Sequence, residues 1–342
     1  MAALCPAGRS LKEKMTQALL TLIVPTYNRA GFVERLLGVL EQDLADLPQV
    51  RVVVGDNAST DDTPRVVQAC RARQPAWVFL RHASNLGPDE NFCRCLEQVQ
   101  TPYFWIMGDD DLPREGCIRE VLRLLGEHRP DLLYLRSEWR PDLGGVRSRI
   151  PATATSSWRV HDRESFARAV NVWMTFISGM VVNLETLRST PGAPDIRQYT
   201  GTSLVQLGWV LPVLMQGRTF ITVRDPWILA TSENTGGYKL LTVFGVNLVK
   251  VVESACGADT PVSRRILRVL LWSYLPGLLW SVRRKGVGSF ADENLQEVLG
   301  QLGRFPAYPW LLRPLCRAPL PLAGLLLVAA KAWGRWHRWR YR

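Results

Sequence analysis

Four short apolar runs punctuate the first 135 residues: Leu19–Val24, Val50–Val54, Val78–Leu80 and Tyr103–Met107. Their hydrophobicity is continuous rather than alternating, as expected of strands covered on both faces. Between them, Phe32/Leu36/Leu40, Val66/Val67/Cys70 and Phe92/Leu96/Val99 recur at three- and four-residue spacing, which predicts amphipathic helices. Asp61-Asp62-Thr63-Pro64 marks a helix start, with acidic groups and proline in its first turn. A helix at Glu115–Leu125 and a strand at Asp131–Leu135 extend the pattern to βαβαβαβ, so the chain reads as an α/β fold with a mostly parallel sheet flanked by helices. Residues 141–154 read as an exposed excursion. Beyond them, Phe176–Val182 and Phe220–Val223 read as strands and Leu204–Met215 as an apolar helix.

Composition changes this picture in one place. Of the 342 residues, 47% are hydrophobic and 21% charged, a globular balance that excludes a disordered or fibrous chain. The net charge of +11 is not spread evenly: residues 262–342 hold 14 Lys and Arg against Asp292, Glu293 and Glu297, and the first 261 residues are balanced. Seven cysteines, without C-x-x-C or H-x-x-H spacing, argue against a disulfide framework or a structural zinc site; reduced thiols and a cytoplasmic location are expected. The N-terminal residues lack an apolar run long enough for a signal peptide.

Ligands of parallel sheets gather beyond the carboxyl ends of the strands. There the sequence places Pro25-Thr26-Tyr27-Asn28-Arg29, Gly55-Asp56-Asn57-Ala58-Ser59-Thr60-Asp61-Asp62-Thr63, Asn85-Leu86-Gly87-Pro88 followed by Asn91, and Gly108-Asp109-Asp110-Asp111-Leu112-Pro113. Singly, the first three are ordinary turn and cap sequences. The aspartate triplet is different, because three adjacent carboxylates after an apolar strand repel one another without a counter-ion. Hard oxygen ligands suit Mg²⁺ or Mn²⁺, which bridge carboxylates to substrate phosphates; a solvated helix-capping turn is the plainer alternative.

In order and spacing, these four motifs resemble the family 2 glycosyltransferases of GT-A (Rossmann-like) fold, over roughly residues 19–135. Trp105-Ile-Met-Gly-Asp-Asp-Asp-Leu, with Phe176-Ile-Ser-Gly, is similar to the abequosyltransferase-like branch. The resemblance implies a nucleotide-sugar donor site. Pro25, Thr26, Tyr27 and Asn28 would line the base and ribose; Asp56 would accept a hydrogen bond from the base, supported by Asn57 and Ser59. Asn85, Gly87 and Asn91 would lie near the ribose and diphosphate. The family's D-x-D motif maps onto Asp109, Asp110 and Asp111 in either of two registers, with Asp111 the preferred direct ligand of Mg²⁺ or Mn²⁺. The implied reaction is a single displacement with inversion, the cation neutralising the leaving diphosphate and a carboxylate deprotonating the acceptor.

Family members place an acidic pair roughly 85–100 residues after the metal motif, where this chain has Gly201-Thr202-Ser203 and, just before it, Asp195. Asp195 is the candidate base and joins Asp110 as a candidate catalytic carboxylate; Glu185 and Glu233 are rivals. If none serves, the base is unrecognised or the chain is a catalytically impaired, membrane-associated assembly protein. A phosphohydrolase built on the aspartates would leave the Asp56 loop unexplained. Ser232–Tyr238 resembles a mobile closing loop, with a plain surface loop the equal alternative, whereas Gln301-Leu-Gly-Arg304-Phe305 resembles the Q-x-x-R-W of processive synthases only by coincidence.

The chain thus divides into an N-terminal extension (1–17), a nucleotide-sugar-binding half (18–135), an acceptor-binding half (136–261) and a basic, Trp-rich helical region (262–342). In that last region, residues 266–282 and 319–330 are apolar but shorter than the about 20 residues of a spanning helix. They are flanked by Arg and Lys, and six of the 13 Trp lie here. This pairing predicts peripheral docking on an anionic membrane surface at its cytoplasmic face, where a lipid-linked glycan acceptor would be met. Core helices of a subdomain are the competing reading. Nucleic-acid binding is not expected, since it would leave the aspartates idle.

Overall fold

Each of the four apolar runs forms a strand: β1 (Leu20–Thr26), β2 (Val50–Asp56), β3 (Val78–Arg81) and β4 (Tyr103–Ile106). They pair in parallel in the order β3-β2-β1-β4, with Leu20 opposite Val50 and Tyr103. The computed structural model describes residues 18–144, 147–150, 157–190, 195–232, 239–285 and 295–340. The N-terminal extension, Glu233 and the loop through Tyr238 lie outside the described residues.

The same sheet continues through β8 (Met180–Asn183), β6 (Leu132–Arg140), β9 (Phe220–Thr231) and β5 (Leu112–Pro113), while β7 (Trp158–His161) pairs with β9. β8 runs antiparallel to both β4 and β6; β6 and β9 are parallel. The sheet is therefore mixed but mostly parallel in its N-terminal part. Continuous hydrophobicity has the expected cause, because alternate residues enter different cores. Leu22 and Val24 pack with Val33, Leu36 and Leu40 of α1 (Ala30–Asp43), together with α2 (Thr63–Arg73) and α4 (Cys117–His128). Ile23 and Phe104 face the opposite core, with α3 (Pro88–Leu96), α5 (Arg163–Val170), α6 (Leu184–Arg188) and α7 (Leu207–Gln216).

Two local expectations are corrected. Residues 176–182 are not one strand: Ile177–Gly179 forms a 3-10 turn before β8. A Cβ on Gly179 would sit 3.0 Å from the Phe176 ring and 3.1 Å from the Leu135 carbonyl, so a side chain there would force its neighbours to give way. The described part of the 141–154 excursion is not solvated throughout. Leu143 and Ile150 are buried, and Arg147 forks onto Asp43 at 2.6 Å while donating to the Pro113 carbonyl.

The C-terminal helices split the two readings offered by the sequence. After a turn at Leu240–Thr242 and a π turn at Val243–Asn247 come α8 (Leu248–Cys256), α9 (Pro261–Val269), a second π turn (Leu270–Tyr274) and α10 (Leu275–Lys285). Ile266, Leu267, Leu270, Leu271, Leu275 and Leu279 are buried in the main core, so this first apolar run is a core element. After α11 (Leu295–Leu302) and α12 (Arg313–Arg317) comes α13 (Leu320–Arg340), whose described side chains, up to residue 332, pack by one face. Ala323, Leu327 and Ala330 are buried with Leu311 and Leu315, and Gly324 lets the Trp280 ring approach. Leu322, Leu325 and Val328 are exposed, Leu325 by 67% and Val328 by 61%. Among the described residues no helix is long and apolar enough to cross a membrane. Arg304 pairs with Glu253 at 2.6 Å and lies over Phe305.

Candidate donor and cation site

Because β1, β2 and β4 are parallel, their polar carboxyl ends converge on one edge. Asn57 N donates to the Thr26 carbonyl at 3.0 Å, joining the first two loops. Asn28 N donates to Ser59 Oγ (2.8 Å), and Asn28 Oδ1 accepts from Thr60 N (2.7 Å). Asn28 and Ala58 both take positive φ, 52° and 62°. Asn tolerates this region, whereas Ala58 pays a steric cost of about 1–2 kcal/mol that the loop network must hold in place.

Asp56, almost fully buried, accepts from Ser59 N at 3.0 Å through Oδ1. Its Oδ2 has no hydrogen-bond partner among the described residues. Arg81 Nε lies 3.5 Å from it, close enough for ion pairing but too long for a good hydrogen bond. A buried carboxylate oxygen in this state is an acceptor awaiting a donor. Asn57 and Asn85 are engaged with each other: Asn57 Nδ2 donates to Asn85 Oδ1 (2.8 Å) and to the Gly87 carbonyl (3.2 Å), and Leu86 N donates to Asn57 Oδ1. Asn91 is buried beneath β2, donating to the Gly55 carbonyl at 3.1 Å and facing His82 and Cys95. Its side chain braces the Asp56 strand from below. Tyr27 is exposed at the rim, while Pro25 and Thr26 are buried.

The aspartate triplet is held from three directions. Arg29 Nη1 lies 3.1 Å from both Asp109 Oδ1 and Asp110 Oδ2. Ser178 Oγ donates to Asp111 Oδ2 at 2.5 Å and accepts from Gly108 N at 2.9 Å; Thr231 N donates to Asp111 Oδ1 at 3.2 Å. Burial pushes the Asp109 carboxyl up to about 6, against the pull of Arg29. Burial, then the charge of Asp110, pushes Asp111 up to about 7, against the Ser178 and Thr231 hydrogen bonds. Arg29 is burdened by its own burial, but the two carboxylates more than offset this and strengthen its hold on its proton.

Glycine 108 keeps this turn open. A Cβ there would lie 3.0 Å from Asp110 Oδ1 and 3.2 Å from Asp111 Oδ2, so both carboxylates border the same small space. No three His, Cys, Asp or Glu side chains form a complete cation cage among the described residues. Two carboxylates beside a glycine cradle do fit Mg²⁺ or Mn²⁺, which complete their shells with water and substrate phosphate.

The candidate bases fare unequally. Asp195 is exposed and accepts from Arg197 N at 3.0 Å, capping a short turn that Arg197 ties to Glu90 and Glu97. Those contacts link it to α3 rather than to the aspartates. Glu185 is at the wrong end of the sheet. It follows β8, whose Asn183 is level with Tyr103 and whose next residue donates to the Pro102 carbonyl, at the amino end of β4. The sequence also gave no notice of Asp89. This buried carboxylate accepts from Ser203 N at 3.0 Å, and the surrounding amides of residues 201–205 oppose the upward push of burial on its pKa. Gly201-Thr202-Ser203 therefore wraps a carboxylate supplied from α3.

Residues 21–181 match the family model described as Glycosyl transferase family 2. Over 131 residues the chain is 29% identical to abequosyltransferase RfbV of Salmonella typhimurium, covering 38% of this chain and 39% of that protein. It is 30% identical over 110 residues to the GalNAc(5)-diNAcBac-PP-undecaprenol beta-1,3-glucosyltransferase of Campylobacter jejuni, covering 32% and 35% of the two chains. The chain thus spans well under half the length of these relatives. In structure it is similar to Staphylococcus aureus TarS 1–349 in complex with UDP-GlcNAc, with a TM-score of 0.57 at 18% identity, covering 92% of this chain and 89% of that one.

Proposed function

We propose that this chain, whose residues 21–181 belong to glycosyl transferase family 2, moves a sugar from a nucleotide-sugar donor to a cell-envelope glycan by an inverting displacement. The observation that carries the reading is one edge of one sheet bearing both a buried Asp56 oxygen that has no hydrogen-bond donor among the described residues and an aspartate turn bridged by Arg29. Asp56 Oδ2 accepts from a base N–H, and the loop built by Asn28, Asn57, Ser59 and Asn85 fixes its distance from the aspartates. Asp109, Asp110 and Asp111 would hold Mg²⁺ or Mn²⁺, which when bound supplies charge neutralisation at the leaving diphosphate. Arg29 acts at the same place, balancing Asp109 and Asp110 and presenting a positive charge toward the phosphates. Ser178 and Thr231 fix the Asp111 carboxylate, so little reorganisation is needed as charge develops.

Removal of the acceptor proton falls in this proposal to Asp195, the exposed carboxylate of the segment preceding Gly201. Asp195→Asn should then lower turnover without lowering nucleotide affinity. The Gly201-Thr202-Ser203 segment, lacking the family's acidic pair, supports a second reading as an impaired assembly protein; turnover with any donor eliminates it. A thermal-shift screen of UDP-, GDP-, dTDP- and CDP-sugars with Mn²⁺ or Mg²⁺ tests the donor class, because ligands of the native state raise apparent stability by mass action. Stabilisation by none of them would sink the proposal.

The acceptor is proposed to be lipid-linked and the enzyme to dock peripherally on an anionic membrane at its cytoplasmic face. This rests on the exposed Leu322, Leu325 and Val328 of α13, on Trp310 with 78% exposure, and on the basic excess after residue 262. Full burial of such side chains is worth about 1.5–3 kcal/mol each, enough with basic residues for reversible binding.

A further inference from the structure

Two indoles sit on the elements that brace the aspartate turn, without a part in the donor site. Trp139 and Trp173 are 42% and 39% exposed, with ring centroids 5.9 Å apart. Trp139 also packs on Phe176 at 4.9 Å, and Trp173 meets Tyr274 edge-on at 6.2 Å. Large aromatic faces left half in water are costly, which makes paired ones a feature to explain.

Their supports lead directly to the site. Trp139 lies in β6 opposite Ala230, next to the Arg140–Thr231 pair, and Thr231 donates to Asp111 Oδ1 and to the Asp110 carbonyl. Phe176 precedes by two residues Ser178, which donates to Asp111 Oδ2. Trp105, fully buried, fixes that turn by donating Nε1 to the Ser178 carbonyl at 2.8 Å. From the other side, Tyr274 and Phe244 pack at 4.9 Å, and each belongs to a π turn. Such turns are rare and concentrate at functional sites.

We infer that Trp139 and Trp173 form a binding shelf for a pyranose ring of the acceptor glycan. The inference rests on the glycosyltransferase reading. A pyranose presents a face of C–H groups that suits an aromatic plane, while its hydroxyls remain available to the carboxylates and hydroxyls nearby. A lipid tail would favour an aliphatic surface, and among the described residues a run of exposed aliphatic side chains lies elsewhere, on Leu320, Leu322, Leu325 and Val328. The shelf therefore orients the sugar, and the lipid portion has a separate place to rest.

Saturation-transfer NMR on the full chain tests this with methyl α-D-mannopyranoside, methyl β-D-galactopyranoside and methyl α-L-rhamnopyranoside, each in the presence of UDP, GDP or CDP. At least one sugar should show transfer to its ring C–H protons. Trp139→Ala and Trp173→Ala should each lower that signal about fivefold, the weight of one aromatic contact, with Trp139→Phe and Trp173→Phe restoring part of it. The nucleotide signals should not change, and circular dichroism should match the parent. Absence of sugar transfer in the parent, or undiminished transfer in the alanine variants, overturns the shelf. Sugar signals that respond as expected while no nucleotide gives a signal would instead overturn the donor reading.

Discussion

The strand-end site and the α13 surface break the usual rules of burial in opposite ways. At the strand ends, charged groups are buried: Asp56, Asp109 and Asp111 are almost inaccessible, and the first leaves one oxygen unsatisfied. On α13, apolar groups are exposed although the opposite face of the same helix is packed. A buried carboxylate is unfavourable unless something arrives to pair it, and an exposed leucine face unless something covers it. Each departure points to a partner by chemistry: a hydrogen-bond donor for Asp56 Oδ2 and a cation to add to the Arg29 charge in one case, and an apolar, anionic surface in the other.

The comparison can be broken first through the core that supports the site. Trp105→Ala should cost about 3–5 kcal/mol in chemical denaturation, as for large buried aromatics, and should also release the Ser178 carbonyl. A cost near zero would mean the turn is not anchored as described. Next comes pH. Asp109 and Asp111 have folded values near 6 and 7 against an ordinary 3.8, so in metal-free protein their contribution to stability is full below about pH 3.8 and is lost as pH rises through 6–7. The metal-free protein should therefore lose stability across that window, and Asp111→Asn should flatten the loss. Mn²⁺ should reverse it at the upper end, because only ionised carboxylates bind the ion.

Smaller effects sharpen the distinction. Asp56→Asn should weaken nucleotide binding by about 1–3 kcal/mol in calorimetry, the cost of one mispaired buried acceptor. Unchanged affinity would remove Asp56 from the donor site. Replacing Leu322, Leu325 and Val328 together by serine should abolish co-sedimentation with phosphatidylglycerol–phosphatidylcholine vesicles. Its effect on folding stability should stay within about 0.5 kcal/mol per site, as for exposed positions. Retained vesicle binding would show that this face is not the docking surface.

Much of this was legible because the signals are local. Apolar runs with polar ends specify parallel strands and place their loops together, so Asp56 and Asp109–Asp111 could be grouped from order alone. What escaped was long-range. Asn91 reaches beneath Gly55, which no spacing rule announces and which the missing side chain there makes room for, since a Cβ would collide with Cys95 and press on Asn91. Ser178 and Thr231 reach Asp111 from 67 and 120 residues away, and no spacing rule announces them. The Gly201–Ser203 segment looked like a lost acidic pair, whereas the fold brings Asp89 beneath it from another helix. Of the two C-terminal apolar runs, similar in sequence, only packing could assign one to the core and leave the other half exposed.

The most direct test of the central claim is nucleotide release from a panel of UDP-, GDP-, dTDP- and CDP-sugars, with Mn²⁺ and a lipid extract as acceptor source. The account predicts release from one donor class, lowered about 100-fold or more in Asp111→Asn, the weight of losing a group that stabilises transition-state charge. Turnover that survives Asp111→Asn undiminished, or no release from any donor, would contradict it.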